Sequence, residues 1–132
     1  MNQHHKLFER VQIGTTFVKN RVGVAPMTRT SASPEGLVTD QMAAYYASFA
    51  RGGFGFVITE GTYTDELYSQ CYFNQPGLVN DEQASAWKKV VDTVHEAFYL
   101  GQTRFCSWIC RRVAHLSEVF KSCILCFRKW WA

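Results

Sequence analysis

Apolar and polar positions alternate over short runs in the first part of the chain. Residues 8–20 contain two such runs on either side of Gly14, a pattern that predicts a small β-hairpin. The apolar run over residues 21–27 is interrupted by Pro26, as expected for a buried strand that ends at a proline. Another apolar run, over residues 54–59, predicts a second buried strand. The pattern therefore predicts a hairpin followed by two buried strands.

Two later segments carry apolar residues at the three- and four-residue spacing of a helix. The first covers residues 39–50, with Thr39 or Asp40 as its N-cap, and ends at the pair of glycines after it. The second begins at Asn80, and Gln83 three residues later predicts a capping box. Its apolar face consists of Trp87, Val90, Val91, Val94 and Ala97. The order strand, helix, strand, helix predicts parallel βαβ units.

A long segment without helical or strand periodicity, residues 60–79, separates the second strand from its helix. Loops of this length in a compact domain are usually functional or disordered. The segment contains four aromatic residues, Tyr63, Tyr68, Tyr72 and Phe73. We therefore expect an ordered, functional loop.

Composition and charge place the chain among globular proteins. Its 132 residues, 47% apolar and 19% charged, suit one compact domain. Residues 1–100 carry a net charge of −2 and residues 101–132 a net charge of +5, and this last part holds four of the five cysteines. Because the chain has neither an apolar run of ~20 residues nor a signal-like N-terminus, we expect a cytoplasmic protein with no membrane partner. His4 and His5 are expected to form a flexible start.

Several short phrases along the chain occur in an order and spacing that match a known family. They are Lys19-Asn20-Arg21, Ala25-Pro26-Met27-Thr28-Arg29, Tyr45-Tyr46-Ala47, Gly52-Gly53-Phe54-Gly55, Thr59-Glu60-Gly61-Thr62, Asn74-Gln75-Pro76-Gly77 and the run from Trp87 to His95. Over residues 7–96 the sequence resembles the N-terminal part of the Old Yellow Enzyme family, the FMN-dependent NADH:flavin oxidoreductases. The resemblance implies a (β/α)8 barrel that binds FMN at the carboxyl ends of its strands, is reduced by NAD(P)H and passes hydride to an activated alkene.

The expected fold class is therefore α/β, the N-terminal portion of a (β/α)8 TIM barrel with a leading β-hairpin. A complete barrel takes ~250 residues, so the chain corresponds to about its first third and is expected to be truncated and unable to close. Open strand edges invite pairing with other chains. We expect the polypeptide alone to be marginally stable or to aggregate, and to bind FMN only weakly.

The resemblance assigns cofactor-binding residues to the ends of both strands. Ala25, Pro26, Met27 and Thr28 are expected to lie against the flavin ring, where the Thr28 hydroxyl would tune how readily the ring accepts hydride. Gly61 is expected where a side chain would collide with the flavin. From the residues alone, Pro26 and Gly61 are equally explained as strand-end punctuation, and Met27 is interpreted as packing. No catalytic residue is assigned, because the matching positions lie beyond the chain.

The resemblance is interrupted after the second helix. Residues 98–111 depart from the family, and Arg112 to His115 fit it again. Counted back from Arg112, the family's flavin-contacting Gln falls on Cys106, and a thiol is a poor substitute for an amide. This predicts a partial domain over residues 1–117 with a disrupted third strand, and an unmatched basic tail over residues 118–132. One hypothesis for the interruption is a shift of reading frame.

Three other interpretations compete with this one. Cys106, Cys110, Cys123 and Cys126 have a spacing that allows a zinc module with four thiolate ligands, with basic residues between them that would suit nucleic acid. The glycines and prolines that shape the turns of such modules are missing, so we assign no metal site and no nucleic-acid partner. A disulfide scaffold is disfavoured by the odd cysteine count. The third alternative is a non-catalytic fragment that pairs through its exposed strands with a full-length relative.

Overall fold

The computed structural model describes residues 3–14, 16–98 and 104–106. In chain order it contains a 3₁₀ helix Gln3–Phe8, β1 Val11–Ile13, β2 Thr16–Val18, β3 Gly23–Val24, α1 Asp40–Arg51, β4 Phe56–Ile58, α2 Asp81–Phe98 and β5 Arg104–Cys106. The predictions for residues 107–132, including the zinc module and the basic tail, lie outside the described residues.

The predicted hairpin is present. Strands β1 and β2 pair antiparallel, with Val11 opposite Val18, and Gly14 turns the chain with a φ of 58°. A flexible start was expected, and the structure places His4 and His5 in the 3₁₀ helix. The Leu7 carbonyl at the end of this helix accepts a 2.8 Å hydrogen bond from the Arg21 N–H, which ties the helix to the segment after the hairpin.

The other three strands form a parallel sheet in the order β3, β4, β5. Val57 in the central strand β4 lies opposite Val24 of β3 and Phe105 of β5. A disrupted third strand was expected, but β5 pairs with β4 along its three residues. Parallel pairing uses backbone groups, so it tolerates a departure of the side chains from the family pattern. The α/β arrangement is therefore confirmed.

Helix α1 begins and ends where its sequence predicts. The Thr39 hydroxyl oxygen accepts a 3.3 Å hydrogen bond from the Met42 N–H, which satisfies one of the donors left free in the first turn. At the other end, the Gly52 N–H donates to the Ser48 carbonyl over 2.9 Å, and Gly53 follows with a φ of +87°. The helix is therefore closed at both termini by residues of its own flanks.

Helix α2 begins with the predicted capping pair Asn80 and Gln83, but the Gln83 side chain reaches one residue further back than in a capping box. Asn80 Oδ1 accepts from the Gln83 N–H at 2.9 Å, while Gln83 Oε1 accepts from the Val79 N–H at 2.7 Å. In an ordinary capping box the second bond would return to the N-cap residue itself. Gln83 is 2% exposed, so its amide is a core group as well as a cap.

The two helices pack against each other and against the strands. The core is formed by Val24, Ala32, Met42, Ala43, Tyr46, Ala47, Ala50, Val57, Leu78, Ala84, Trp87, Val90 and Val94. The Tyr46 and Trp87 rings, one from each helix, have centroids 6.4 Å apart. Within the described residues, neither helix has the length and apolar character to cross a bilayer. The predicted apolar face of α2 is confirmed, with Val91 and Ala97 packed at its margin.

Candidate functional site

The predicted cofactor-binding residues lie together at one end of the parallel sheet. Ala25 to Thr28 directly follow β3, and Gly61 lies three residues after the end of β4. A Cβ atom placed on Gly61 would lie 3.6 Å from the Thr28 Oγ1. Parallel strands direct their carboxyl ends to the same edge, which is where α/β proteins bind ligands. The structure therefore brings the two predicted groups into one site.

The predicted site residues at this carboxyl end of the sheet are accessible to solvent. Ala25, Pro26, Met27, Thr28 and Gly61 are all exposed. Met27, interpreted from the sequence as packing, is 44% exposed, so its side chain is only partly covered by the described residues. Within that part, Met27 and Thr28 have no hydrogen-bonding partner for their backbone groups or for the Thr28 hydroxyl. These donors and acceptors are available to a ligand.

Gly61 differs from the glycines that the fold itself requires. A Cβ on Gly61 would make only ordinary contacts, 3.6 Å from the Thr28 Oγ1 and 3.7 Å from the Gln75 Nε2, and its φ lies outside the left-handed region. A Cβ on Gly77 would instead overlap the Tyr63 ring and lie 2.6 Å from the Gln83 Oε1. The described chain thus leaves room for a side chain at position 61.

A buried carboxylate, Glu60, stands directly before Gly61 and was not identified from the sequence. Glu60 is 1% exposed. Its Oε1 accepts a 3.0 Å hydrogen bond from the Tyr46 hydroxyl, and its Oε2 accepts a 2.9 Å bond from the Arg29 N–H. The Glu60 N–H donates in turn to the Tyr46 hydroxyl over 3.1 Å. Burial, with the Glu60 carboxylate beside it, raises the pKa of Tyr46 well above its ordinary value, so the hydroxyl keeps the proton it donates.

A second buried group, Gln75, fixes Gly61 from the other side. Gln75 is 6% exposed, and its Nε2 donates to the Gly61 carbonyl at 3.0 Å. Its Oε1 accepts from the Cys71 N–H at 2.8 Å and from the Tyr72 N–H at 3.3 Å. The tip of the long loop is thus attached to the end of β4. The spacing of residues could not predict this role, because Gln75 and Gly61 are 14 positions apart and meet only when the loop folds.

The structure describes every residue of the loop over residues 60–79, and only one of its four aromatic side chains is buried. Tyr63 is 5% exposed, its N–H donates to the Pro76 carbonyl at 3.1 Å, and its carbonyl accepts from the Leu78 N–H at 2.9 Å. Its ring lies so close to two glycine backbones that a Cβ on Gly36 or Gly77 would overlap it. The other three aromatics, Tyr68, Tyr72 and Phe73, are 89%, 57% and 75% exposed.

Residues 6–99 match the sequence profile of the NADH:flavin oxidoreductase / NADH oxidase family. The chain belongs to the Old Yellow Enzyme family. It is 41% identical over 90 residues to a chanoclavine-I aldehyde reductase of Penicillium roqueforti, covering 68% of this chain and 24% of the relative. It is also 41% identical over 91 residues to an NADPH dehydrogenase of Listeria monocytogenes, covering 68% and 27%. The Old Yellow Enzyme of Pichia sp. superposes with a TM-score of 0.69 at 31% identity, covering 77% of this chain and 25% of that one.

The chain spans about a quarter of the length of these Old Yellow Enzyme relatives. The family uses FMN, with NAD(P)H as the reductant. The site fits this cofactor, because the strand ends offer unpaired backbone groups, a free hydroxyl at Thr28 and open space at Gly61.

Among the described residues, no group of three or more His, Cys, Asp or Glu side chains could hold a metal ion. Cys71 is an exposed free thiol.

Proposed function

We propose that the chain forms the first βα units of the FMN-binding barrel of an Old Yellow Enzyme-type oxidoreductase. Bound FMN would carry hydride from NAD(P)H to an activated alkene, a small molecule, in the cytoplasm. The observation that supports this proposal is that Thr28 and Gly61 lie close together beyond the carboxyl ends of β3 and β4, inside the segment that matches the family. Alkene reduction is the chemistry that the resemblance implies for the complete barrel.

Each residue of the site has a specific task in this proposal. Met27 and Thr28 would hold the flavin through their free backbone groups and the Thr28 hydroxyl. A hydrogen-bond donor there would stabilise negative charge on the ring and so favour its reduction. Ala25 and Pro26 would pack against the ring. Gly61 lets the ring approach the end of β4, because a methyl group there would occupy the space of the flavin.

We further propose that the chain is inactive by itself. In the described sheet β3 and β5 each pair only with β4, so each has an open edge. The matched segment spans only about a quarter of the length of its relatives, and open edges favour association with other chains. A marginally stable protein with weak FMN affinity and no turnover is therefore expected.

A chimera tests the proposal. Residues 6–99 would replace the equivalent segment of the Listeria NADPH dehydrogenase, which supplies the rest of the barrel and is itself the matched control. The expected result is a yellow protein that oxidises NADPH in the presence of an activated alkene such as cyclohexenone, while the 132-residue chain alone gives no turnover. A soluble, folded chimera that binds no FMN would contradict the proposal.

The remaining alternatives predict different results for the unmodified chain. One zinc ion per purified chain would support the four-cysteine zinc module of the tail. Stable co-purification with an intact flavoprotein, without turnover by the chain, would support a non-catalytic interaction fragment. A chain that carries stoichiometric FMN and turns over alone would contradict the proposed inactivity.

A further inference from the structure

Glu60 joins the two parts of the site. Along the chain it directly precedes Gly61, and through space its carboxylate accepts the N–H of Arg29, the residue directly after Thr28. The distance from Glu60 Oε2 to the Arg29 nitrogen is 2.9 Å. A single side chain therefore links the two segments, one after β3 and one after β4, that the proposed flavin would touch.

The segment from Ala25 to Thr28 has few other attachments. On its N-terminal side it is held by the pairing of Val24 with Val57 in β4. On its C-terminal side the Arg29–Glu60 bond comes first. The next attachments follow two and three residues later, where the Ser31 carbonyl accepts from the Thr39 hydroxyl at 3.1 Å and the Ala32 N–H donates to the Asn74 carbonyl at 3.1 Å. A span anchored at both ends loses less freedom when a ligand binds it.

The Glu60 carboxylate is itself held rigidly. Tyr46, which donates to its other oxygen, is 2% exposed and lies in α1 against Trp87. The Arg29 guanidinium adds a weaker attachment to the same helix, because its Cζ lies 5.4 Å from the centroid of the Tyr45 ring. Tyr46 and Glu60 therefore connect the core to the segment that follows β3.

We propose that Glu60 is a positioning residue for the flavin-facing segment Ala25–Thr28, with Tyr46 as its support. This rests on the function proposed above. Without the carboxylate, the Arg29 N–H loses its partner and Thr28 is no longer held opposite Gly61. The preorganised backbone that would meet the flavin then becomes mobile, and FMN binding must order it again.

Hydrogen exchange of backbone amides in the 132-residue chain, without flavin, tests the tether directly. In Glu60→Ala the Arg29 amide is expected to exchange about tenfold faster, because its hydrogen bond to a charged acceptor is gone. Glu60→Gln has one acceptor oxygen for two donors, so about a threefold increase is expected. Glu66→Ala, at an exposed glutamate of the long loop, is the control and leaves the Arg29 rate unchanged.

FMN affinity, measured by quenching of flavin fluorescence, distinguishes positioning from a purely structural role. In the flavin-binding chimera, the dissociation constant for FMN is expected to rise about tenfold in Glu60→Ala and to lie close to the parent value in Glu60→Gln. Unchanged Arg29 exchange in a folded Glu60→Ala variant overturns the inference. If Glu60→Ala does not fold, as judged by lost protection in α2, a wild-type Arg29 rate in Glu60→Gln overturns it instead. Failure of the wild-type chain and of the chimera to bind FMN contradicts the proposed function and leaves the exchange result unaffected.

Discussion

Alanine substitutions at two glycines of the same loop, Gly61 and Gly77, should have opposite effects on stability. At Gly61 a Cβ would lie 3.6 Å or more from its nearest neighbours and the backbone is unstrained. Gly61→Ala should therefore raise the free energy of unfolding by ~0.4–1 kcal/mol, because the unfolded chain loses conformational freedom. At Gly77 the new atom would overlap the Tyr63 ring and lie 2.6 Å from Gln83 Oε1.

The cost at Gly77 can be estimated from those contacts. Forcing a methyl group into a packed core costs about 1–3 kcal/mol. The shift of the Tyr63 ring also breaks its 2.9 Å hydrogen bond with Gln83, which adds about 1 kcal/mol. Gly77→Ala should therefore destabilise the protein by about 2–4 kcal/mol, measured by urea unfolding followed by circular dichroism.

FMN binding provides a second test of the Gly61→Ala variant. In the flavin-binding chimera, Gly61→Ala should weaken FMN binding about five- to 150-fold, as expected for a methyl group forced into occupied space. A Gly61→Ala variant that is destabilised by more than ~1 kcal/mol would show that the chain itself requires this glycine. One that binds FMN as the parent does would show that no flavin approaches it.

Three further substitutions test the rest of the fold. Gln83→Leu removes three hydrogen bonds from a buried amide and should lower the free energy of unfolding by about 3 kcal/mol in urea, whereas a loss below ~1 kcal/mol would contradict its structural role. Burial raises the pKa of Tyr46 above its ordinary value of 10.0, so stability should be fully present below pH 10.0 and fall above it as the unfolded chain ionises. Tyr46→Phe should make that fall less steep in denaturation experiments across this pH range, and an equal slope would refute the assignment. Lys89→Gln breaks an ion pair with Asp40 whose side chains are 68% and 82% exposed, so urea unfolding should change by less than ~0.5 kcal/mol, and a larger loss would show that the pair is stabilising.

The sequence predicts those elements whose signals are local. The cap at Thr39 and the pair Asn80 and Gln83 act over three residues, so their spacing alone predicts where both helices begin. Strand positions follow from apolar runs, and the order of elements indicates parallel pairing. The 3₁₀ helix was missed because the bond from the Arg21 N–H to the Leu7 carbonyl that stabilises it crosses the hairpin.

The site is predicted less completely, because its supporting contacts join residues far apart in the chain. Thr28 and Gly61 could be named from the family resemblance, and the fold brings them together. Glu60 could not be assigned a role, since its partner Arg29 lies 31 positions away and one buried glutamate has no periodic signature. Gln75 is a similar case, because a polar residue in a loop is normally expected to be exposed.

The close contact of the Tyr63 ring with Gly36 and Gly77 restricts the mutational routes open to this loop. A side chain at position 77 becomes less costly once position 63 carries a smaller group, although Gln83 Oε1, 2.6 Å from the new Cβ, must also move. Gly36 also has a φ of +75°, which disfavours any other residue regardless of the ring. Across homologues, positions 63 and 77 should therefore vary together while position 36 stays constant.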